Sequence, residues 1–333
     1  MKRSRKLFGL LAVLALFIVA AYIARVTNPE NKADDTTTEN NIKYTILTIE
    51  PDMVDSITWT YNDSTLTFTH KEDTWSYADD STFPLDASYI DSMLSSLNGI
   101  QASKIVEDVT DLSMYGLDNP ICSINVDAGS AYSILIGNET ALDGLRYVSI
   151  GDDNVYLVDS TLLSSFSYGL YDILATETVP TMSDITNVSI TSETSSLFIE
   201  YLPESELAYS DEYVWFMKDG DSYLTLDTAL TDTLISNITG LSLSECVNYN
   251  ASDDELNSYG LAAPMVAATV TYIESEENKT FTLELGNYSD DNSVCYAHIA
   301  GSRIVYLIDG TVCDNLMTAG YDSLKPDEVL QEN

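Results

Sequence analysis

Seven landmarks of this chain occur twice in the same order, which constrains the fold more than any other feature, because order-preserving similarity between halves means one unit used twice. ITWTYNDSTLTFTH at residues 57–70 aligns with VSITSETSSLFIEY at 188–201, and Trp75 aligns with Trp215. FPLDASYIDSMLSSLNGI, ending at Ile100, aligns with YLTLDTALTDTLISNITGL, ending at Leu241. YGLDNP at 115–120 recurs as YGLAAP at 259–264, and LIGN at 135–138 as ELGN at 284–287. VYLVDST at 155–161 meets VYLIDGT at 305–311, and YDIL at 171–174 meets YDSL at 321–324. The second copy carries an acidic, loop-like insertion at 202–211.

Each unit reads as α+β, a largely antiparallel β-meander with one or two helices. Ile57, Trp59 and Tyr61 alternate on one face, and Leu66 and Phe68 return across Asn62, Asp63 and Ser64, which predicts a hairpin followed by a third strand at Trp75. Asp86 predicts a helix N-cap, with Ile90, Met93, Leu94 and Leu97 on one face and Gly99 as the stop. Asp227, Leu230, Leu234, Ile235, Ile238 and Gly240 repeat the scheme. Short alternating runs at 122–126, 132–136, 147–150 and 155–158 predict the meander, and a short helix from Ser160 to about Tyr168 closes the unit. Gly116 and Gly260 fit a turn that a side chain would obstruct, and Pro120 and Pro264 fit the extended approach to the next strand. Tyr115 and Tyr259, beside these turns, read as packed corners, with a ligand platform as the alternative. Trp75 and Trp215 read as core residues of their units.

Lys2, Arg3, Arg5 and Lys6 precede an unbroken apolar run from Leu7 to Ala24, closed by Arg25. Eighteen helical residues span roughly 27 Å, close to the hydrocarbon thickness of a bilayer. The basic head places the N-terminus in the cytoplasm and the rest of the chain outside. An uncleaved transmembrane signal anchor is the expectation, with a signal peptide cut after Ala21 as the alternative. The organisation is then an anchor at 1–25, a polar tether at 26–42, repeats at 43–180 and 181–325, and a tail at 326–333. The chain holds 14 Lys plus Arg against 53 Asp plus Glu, a net charge of −39. Five of the basic residues lie in the first 25, so the exported part carries −44. Such a field disfavours nucleic acid and anionic lipid and favours cationic partners.

The chemistry-bearing residues are sparse. His70 and His298 are the two histidines, and both fall in strand-like runs. There is no G-x-S-x-G, H-E-x-x-H, Walker or dinucleotide motif. Cys122, Cys246, Cys295 and Cys313 lack zinc spacing. The repeat alignment sets Cys122 against Val266 and Cys246 against Ile105, which favours buried single thiols; pairing of Cys295 with Cys313 across neighbouring strands of the second meander is the alternative. The acidic clusters at 152–153, 219–221, 253–255 and 290–291 do not match a calcium loop and read as solvated turns.

Taken together, the anchor, the Trp strand, the Leu-Asp helix start, the YGL-x-x-P element and the G…Y…VY-V meander resemble the bacterial domain of unknown function 4340 family over roughly residues 43–325. The resemblance supplies no catalytic residue to carry over, and no cofactor is expected. It does imply an accessory role beside an ABC transporter, since members are often encoded next to such systems. The expected function is a membrane-anchored, extracytoplasmic, non-enzymatic binding or scaffold protein, with ABC transporter subunits as partners and no nucleic acid. A structural envelope spacer and a carboxylate-dependent surface hydrolase are the alternatives.

Overall fold

Turn chemistry and period-two alternation set the architecture. The computed structural model describes residues 43–141, 144–193, 195–204 and 213–327. The expected anchor and tether, most of the insertion at 202–211 and most of the C-terminal tail lie outside the described residues. Among the described residues no helix is long and apolar enough to cross a membrane.

The first sheet comprises β1 (Tyr44–Leu47), β2 (Ser56–Tyr61), β3 (Ser64–Lys71), β4 (Thr74–Tyr77), β5 (Ile100–Val106), β6 (Cys122–Asp127), β7 (Ala131–Glu139), β8 (Leu145–Ser149) and β9 (Val155–Asp159). Its order is β1-β5-β9-β8-β7-β6-β2-β3-β4. The second comprises β10 (Asp184–Ser192), β11 (Ser196–Tyr201), β12 (Trp215–Asp219), β13 (Ser222–Thr225), β14 (Glu245–Asn248), β15 (Val266–Glu274), β16 (Glu277–Tyr288), β17 (Val294–Ile299) and β18 (Val305–Asp309), in the order β13-β12-β11-β10-β15-β16-β17-β18-β14. With β2 set against β10 and β9 against β18, eight strands of each sheet follow one order. The sheets differ at their edges. β1 extends the first beside β5, and β13 extends the second beside β12. The four outermost strands, β1, β4, β13 and β14, are each four residues long, while β16 runs to twelve.

Left-handed residues close the tight hairpins. Asn62 and Asp63 join β2 to β3 at φ 50° and 60°, Glu72 and Asp73 join β3 to β4 at 50° and 59°, and Ser275 and Glu276 join β15 to β16 at 51° and 65°. Two successive positive-φ residues match the right-handed strand twist, and Asn and Asp tolerate that region best among residues with a Cβ. In the β2–β3 hairpin Ile57, Trp59, Leu66 and Phe68 turn inward. The other face carries threonines that bond each other across the strands, Thr58 with Thr67 and Thr60 with Thr65, both at 2.9 Å.

Helix α1 (Ala87–Leu97) starts where Asp86 accepts the amide of Ser88 and buries Ile90, Met93, Leu94 and Leu97 on the first sheet. A short helix α2 (Thr161–Ser164) follows β9. It stops well before the expected Tyr168, because the serines there turn to the backbone: Ser165 donates its hydroxyl to the Thr161 carbonyl and Ser167 to that of Ser164. In the second half α3 (Thr228–Thr239) is capped by Asp227 through the Leu230 amide. Thr231, Leu234, Ile235 and Ile238 form its buried i, i+3, i+4, i+7 stripe, and Leu230 is 46% exposed instead of joining it. Thr231 is accommodated because its hydroxyl donates to the Asp227 carbonyl. Helices α4 (Asp253–Ser258), α5 (Gly310–Met317) and α6 (Tyr321–Leu324) complete the chain. The Tyr-Asp-x-Leu landmarks strap the helix starts: the Ile173 carbonyl accepts from the Asp86 amide, and the Leu324 carbonyl from the Asp227 amide.

The registers agree with the sequence alignment at the cysteines. Cys122 faces Ile136 as Val266 faces Leu285, and Cys246 faces Tyr306 as Ile105 faces Tyr156. Cys122 and Cys246 are free thiols. Cys295 and Cys313 are joined in a disulfide, and they connect β17 to helix α5 rather than two neighbouring strands.

Candidate functional site

The YGL-x-x-P elements turn on glycines in the left-handed region in both units. Gly116 and Gly260 adopt φ 69° and 75°, and a Cβ on either would stand 2.5 Å from the side chain of Asn138 or Asn287. The carbonyls of Tyr115 and Tyr259 lie over Gly137 and Gly286, where a Cβ would meet them at 2.3 and 2.2 Å. The YGL and Gly-Asn landmarks, distant in sequence, are therefore two halves of one joint in each unit. Tyr115 packs edge-on to Tyr147 with centroids 4.9 Å apart, and Tyr259 tilts against Tyr296 at 4.6 Å. Pro120 and Pro264 lead into β6 and β15. The structure thus places Tyr115, Gly116 and Pro120, and Tyr259, Gly260 and Pro264, in packed corners.

The two aligned tryptophans hold equivalent registers and different environments. Trp75 faces His70 on β3 and stacks on its ring at 4.8 Å, half-buried at the sheet rim. It is not the core aromatic of its unit; Trp59 is, 1% exposed, with its indole N–H donating to the Tyr168 carbonyl. Trp215 faces Tyr201 on β11 and is 5% exposed, and its indole N–H donates to Asp232 at 2.9 Å.

Around Trp215 the second unit opens a cavity of about 660 Å³ at the mouth between helix α3 and the sheet. Asp184 and Thr186 of β10, Tyr201 of β11 and Thr228 and Asp232 of α3 line it with Trp215. In the first unit the segment before β2 is covered. Val54, three residues before Ile57, is 1% exposed, Ile49 is 2% exposed, and the 3-10 turn Pro51–Met53 packs on α1. Ile185, three residues before Val188, is only half-buried and lines the cavity. The alignment pairs Tyr201 with His70 and Trp215 with Trp75, so the aromatic pair was open to sequence reasoning. Asp184 and Asp232 come together only through the fold.

A second polar assembly lies where the halves meet. His298 is 5% exposed; its Nε2 lies 2.7 Å from Glu284 Oε2 and its Nδ1 2.9 Å from the Ser302 carbonyl. In the first sheet the same register holds Leu135 opposite Ser149. Ser302 passes its hydroxyl to Glu177 Oε2, and the Glu177 amide donates to Tyr306 Oη at 2.9 Å. Nearby, Tyr249 donates to Asp80 at 3.0 Å and sets its ring edge-on to Phe83 at 5.0 Å. Burial first, and the Asp80 carboxylate second, push the Tyr249 hydroxyl up to about 12. Cys246 packs against both hydrophobic cores. Burial pushes its thiol up to about 11 and that of Cys122 up to about 12, so both stay protonated near neutrality and are poor nucleophiles.

Members of three of the four acidic clusters serve the protein's own structure. Asp152 accepts from Tyr156, Asp253 pairs with Arg303 at 2.6 Å, and Asp291 takes the hydroxyls of Ser289 and Ser293 and the Ser293 amide. Among the described residues no three His, Cys, Asp or Glu side chains are grouped to hold a metal ion.

Residues 75–221 match the model of a family described as a domain of unknown function, DUF4340. That segment belongs to the DUF4340 family. The DUF4340 match begins at the Trp strand of the first sheet and ends just past the Trp strand of the second, so it takes in the first Tyr-Gly-Leu corner and Trp215. No curated protein and no solved structure matches the chain.

Proposed function

We propose that this protein is a membrane-anchored, extracytoplasmic binding and scaffold protein built from a duplicated α+β unit, a non-enzymatic accessory to a membrane complex such as an ABC transporter. The observation that carries the binding reading is the cavity over Trp215, lined by an aromatic pair and by Asp184 and Asp232. Pockets with a few placed polar groups are where ligands bind, and a purely structural element has no use for one. The basic head and apolar run at residues 2–24 support export with retention at the membrane. The family resemblance supports the transporter as the complex served.

An envelope spacer is the second reading, and the seam favours it. Tyr249–Asp80, Glu177–Tyr306 and Ser302–Glu177 tie the halves together as a spacer requires. Cross-linking of the full-length protein in native membranes, followed by affinity capture and mass spectrometry, separates the two. Transporter subunits in the captured set are the expected result. Capture of envelope components alone would transfer the assignment to the spacer.

A further inference from the structure

We propose that the Trp215 cavity is a binding site for an organic cation, a linear alkylammonium of the kind carried by polyamines and lysine side chains. The inference rests on the binding reading above and names the chemistry of its ligand. Two carboxylates, Asp184 on the sheet and Asp232 on the helix, line the cavity, and among the described residues no basic side chain does. Tyr201, 41% exposed, tilts against Trp215 with centroids 4.9 Å apart, so an aromatic surface stands beside the acids. Carboxylate acceptors together with aromatic faces constitute the environment that attracts ammonium groups.

Two donors of the wall are engaged within the protein: the Trp215 indole N–H goes to Asp232 and the Thr186 hydroxyl to the Thr271 carbonyl. The carboxylates are the charged acceptors of the lining, and an ammonium, which only donates, fits them. The apolar stretches of the lining, Ile185 and Ile273, suit the methylene segments of such a ligand. The field of an exported part with 9 basic and 53 acidic residues draws cations toward the mouth and repels anions.

The first unit serves as an internal reference. Its helix keeps a carboxylate, Asp91, five residues after the cap, as Asp232 stands five after Asp227. There, however, the tryptophan stacks on His70 instead of an exposed tyrosine. One cation per chain, in the second unit, is the resulting stoichiometry.

Isothermal titration of the full chain in mild detergent tests this, with spermidine, Nα-acetyl-lysine amide and, as the neutral comparison, N-acetylglucosamine. The expected result is saturable binding of one cation per chain that survives about 0.15 M salt, where exposed-charge attraction is largely screened. Asp184→Asn and Asp232→Asn should each weaken it about tenfold, a loss of one charge-assisted contact. Asn at 232 can still accept the Trp215 N–H, so the fold is kept, and Asp118→Asn, on an exposed turn of the first unit, should leave binding unchanged. Tighter binding of spermidine identifies a free polyamine as the source, and tighter binding of the lysine amide identifies a polypeptide side chain. Equal binding by all variants, unsaturable uptake or competition by the sugar overturns the proposal. If membrane capture recovers transporter subunits while cations fail to bind, the ligand class falls and the binding reading stands; if both fail, the reading falls too.

Discussion

Trp59 lies between Phe68, stacked at 5.4 Å, and Phe166, edge-on at 6.4 Å, with its indole N–H satisfied. Trp75, the residue the repeat alignment points to, lies half-buried over His70. Replacing Trp59 by alanine should cost about 3–5 kcal/mol, as truncation of a sealed aromatic does, and Trp75→Ala about 1 kcal/mol, because water already reaches that ring. Denaturant midpoints of the two variants at constant m-value check this, and equal losses would mean that Trp75 is sealed in solution. The contrast shows what one chain makes legible. Alternation placed Trp59 on the inward face along with Ile57, and it placed Trp75 in a strand. It could not say that the rim at β4 stays open, since that depends on which segment covers the edge. The Leu230 expectation failed for a related reason: helix period fixes a stripe only to within one residue at the first turn, and Thr231 took the inward position by bonding its own hydroxyl to the cap.

At the scale of elements, the Tyr-Gly-Leu corner and the Gly-Asn strand end are pieces of a single joint, and the sequence shows them only as two recurrent words. Gly116→Ala and Gly260→Ala should each destabilise by about 1–3 kcal/mol, combining a positive-φ penalty with a clash on Asn138 or Asn287. Thermal melts of the two variants check this. A milder loss in the double variants that also carry Asn138→Ala or Asn287→Ala would show the clash to be the larger part. The helix caps at Asp86 and Asp227, the Asn62–Asp63 turn and the four-strand meanders were readable because each is set within a few residues. The strands β5 and β14 were not. Ile100–Val106 and Glu245–Asn248 carry little alternation and become strands by pairing with β9 and β18 from far along the chain. The disulfide is intermediate in this respect: the residues of the pair are legible, but not that it joins a strand to a helix, although the repeat alignment sets Cys313 against Leu163 in the helix of the first unit.

The whole molecule depends on side chains that no repeat comparison could find, since they occur once. Tyr249 and Asp80 meet only across the seam. The Tyr249 hydroxyl is held up to about 12 in the folded chain against about 10 in an unfolded one. The neutral phenol is thus the form the fold prefers: its stabilisation is complete below pH 10 and is lost as pH rises through about 12. Thermal melts between pH 9 and 12 should therefore fall more steeply for the native chain than for Tyr249→Phe, and parallel curves would remove Tyr249 from the account of the seam. The cavity at Trp215 is also invisible from sequence, because its carboxylates come from Asp184 and Asp232, on different elements. Finally, all four outermost strands are four residues long, however long the strands inside them. An open strand edge is a template on which a foreign or unfolded chain can polymerise, and its reach is the number of free backbone groups in a row. Among the described residues both sheets taper to such short margins, so each outermost strand presents only a short row of backbone groups to a foreign chain.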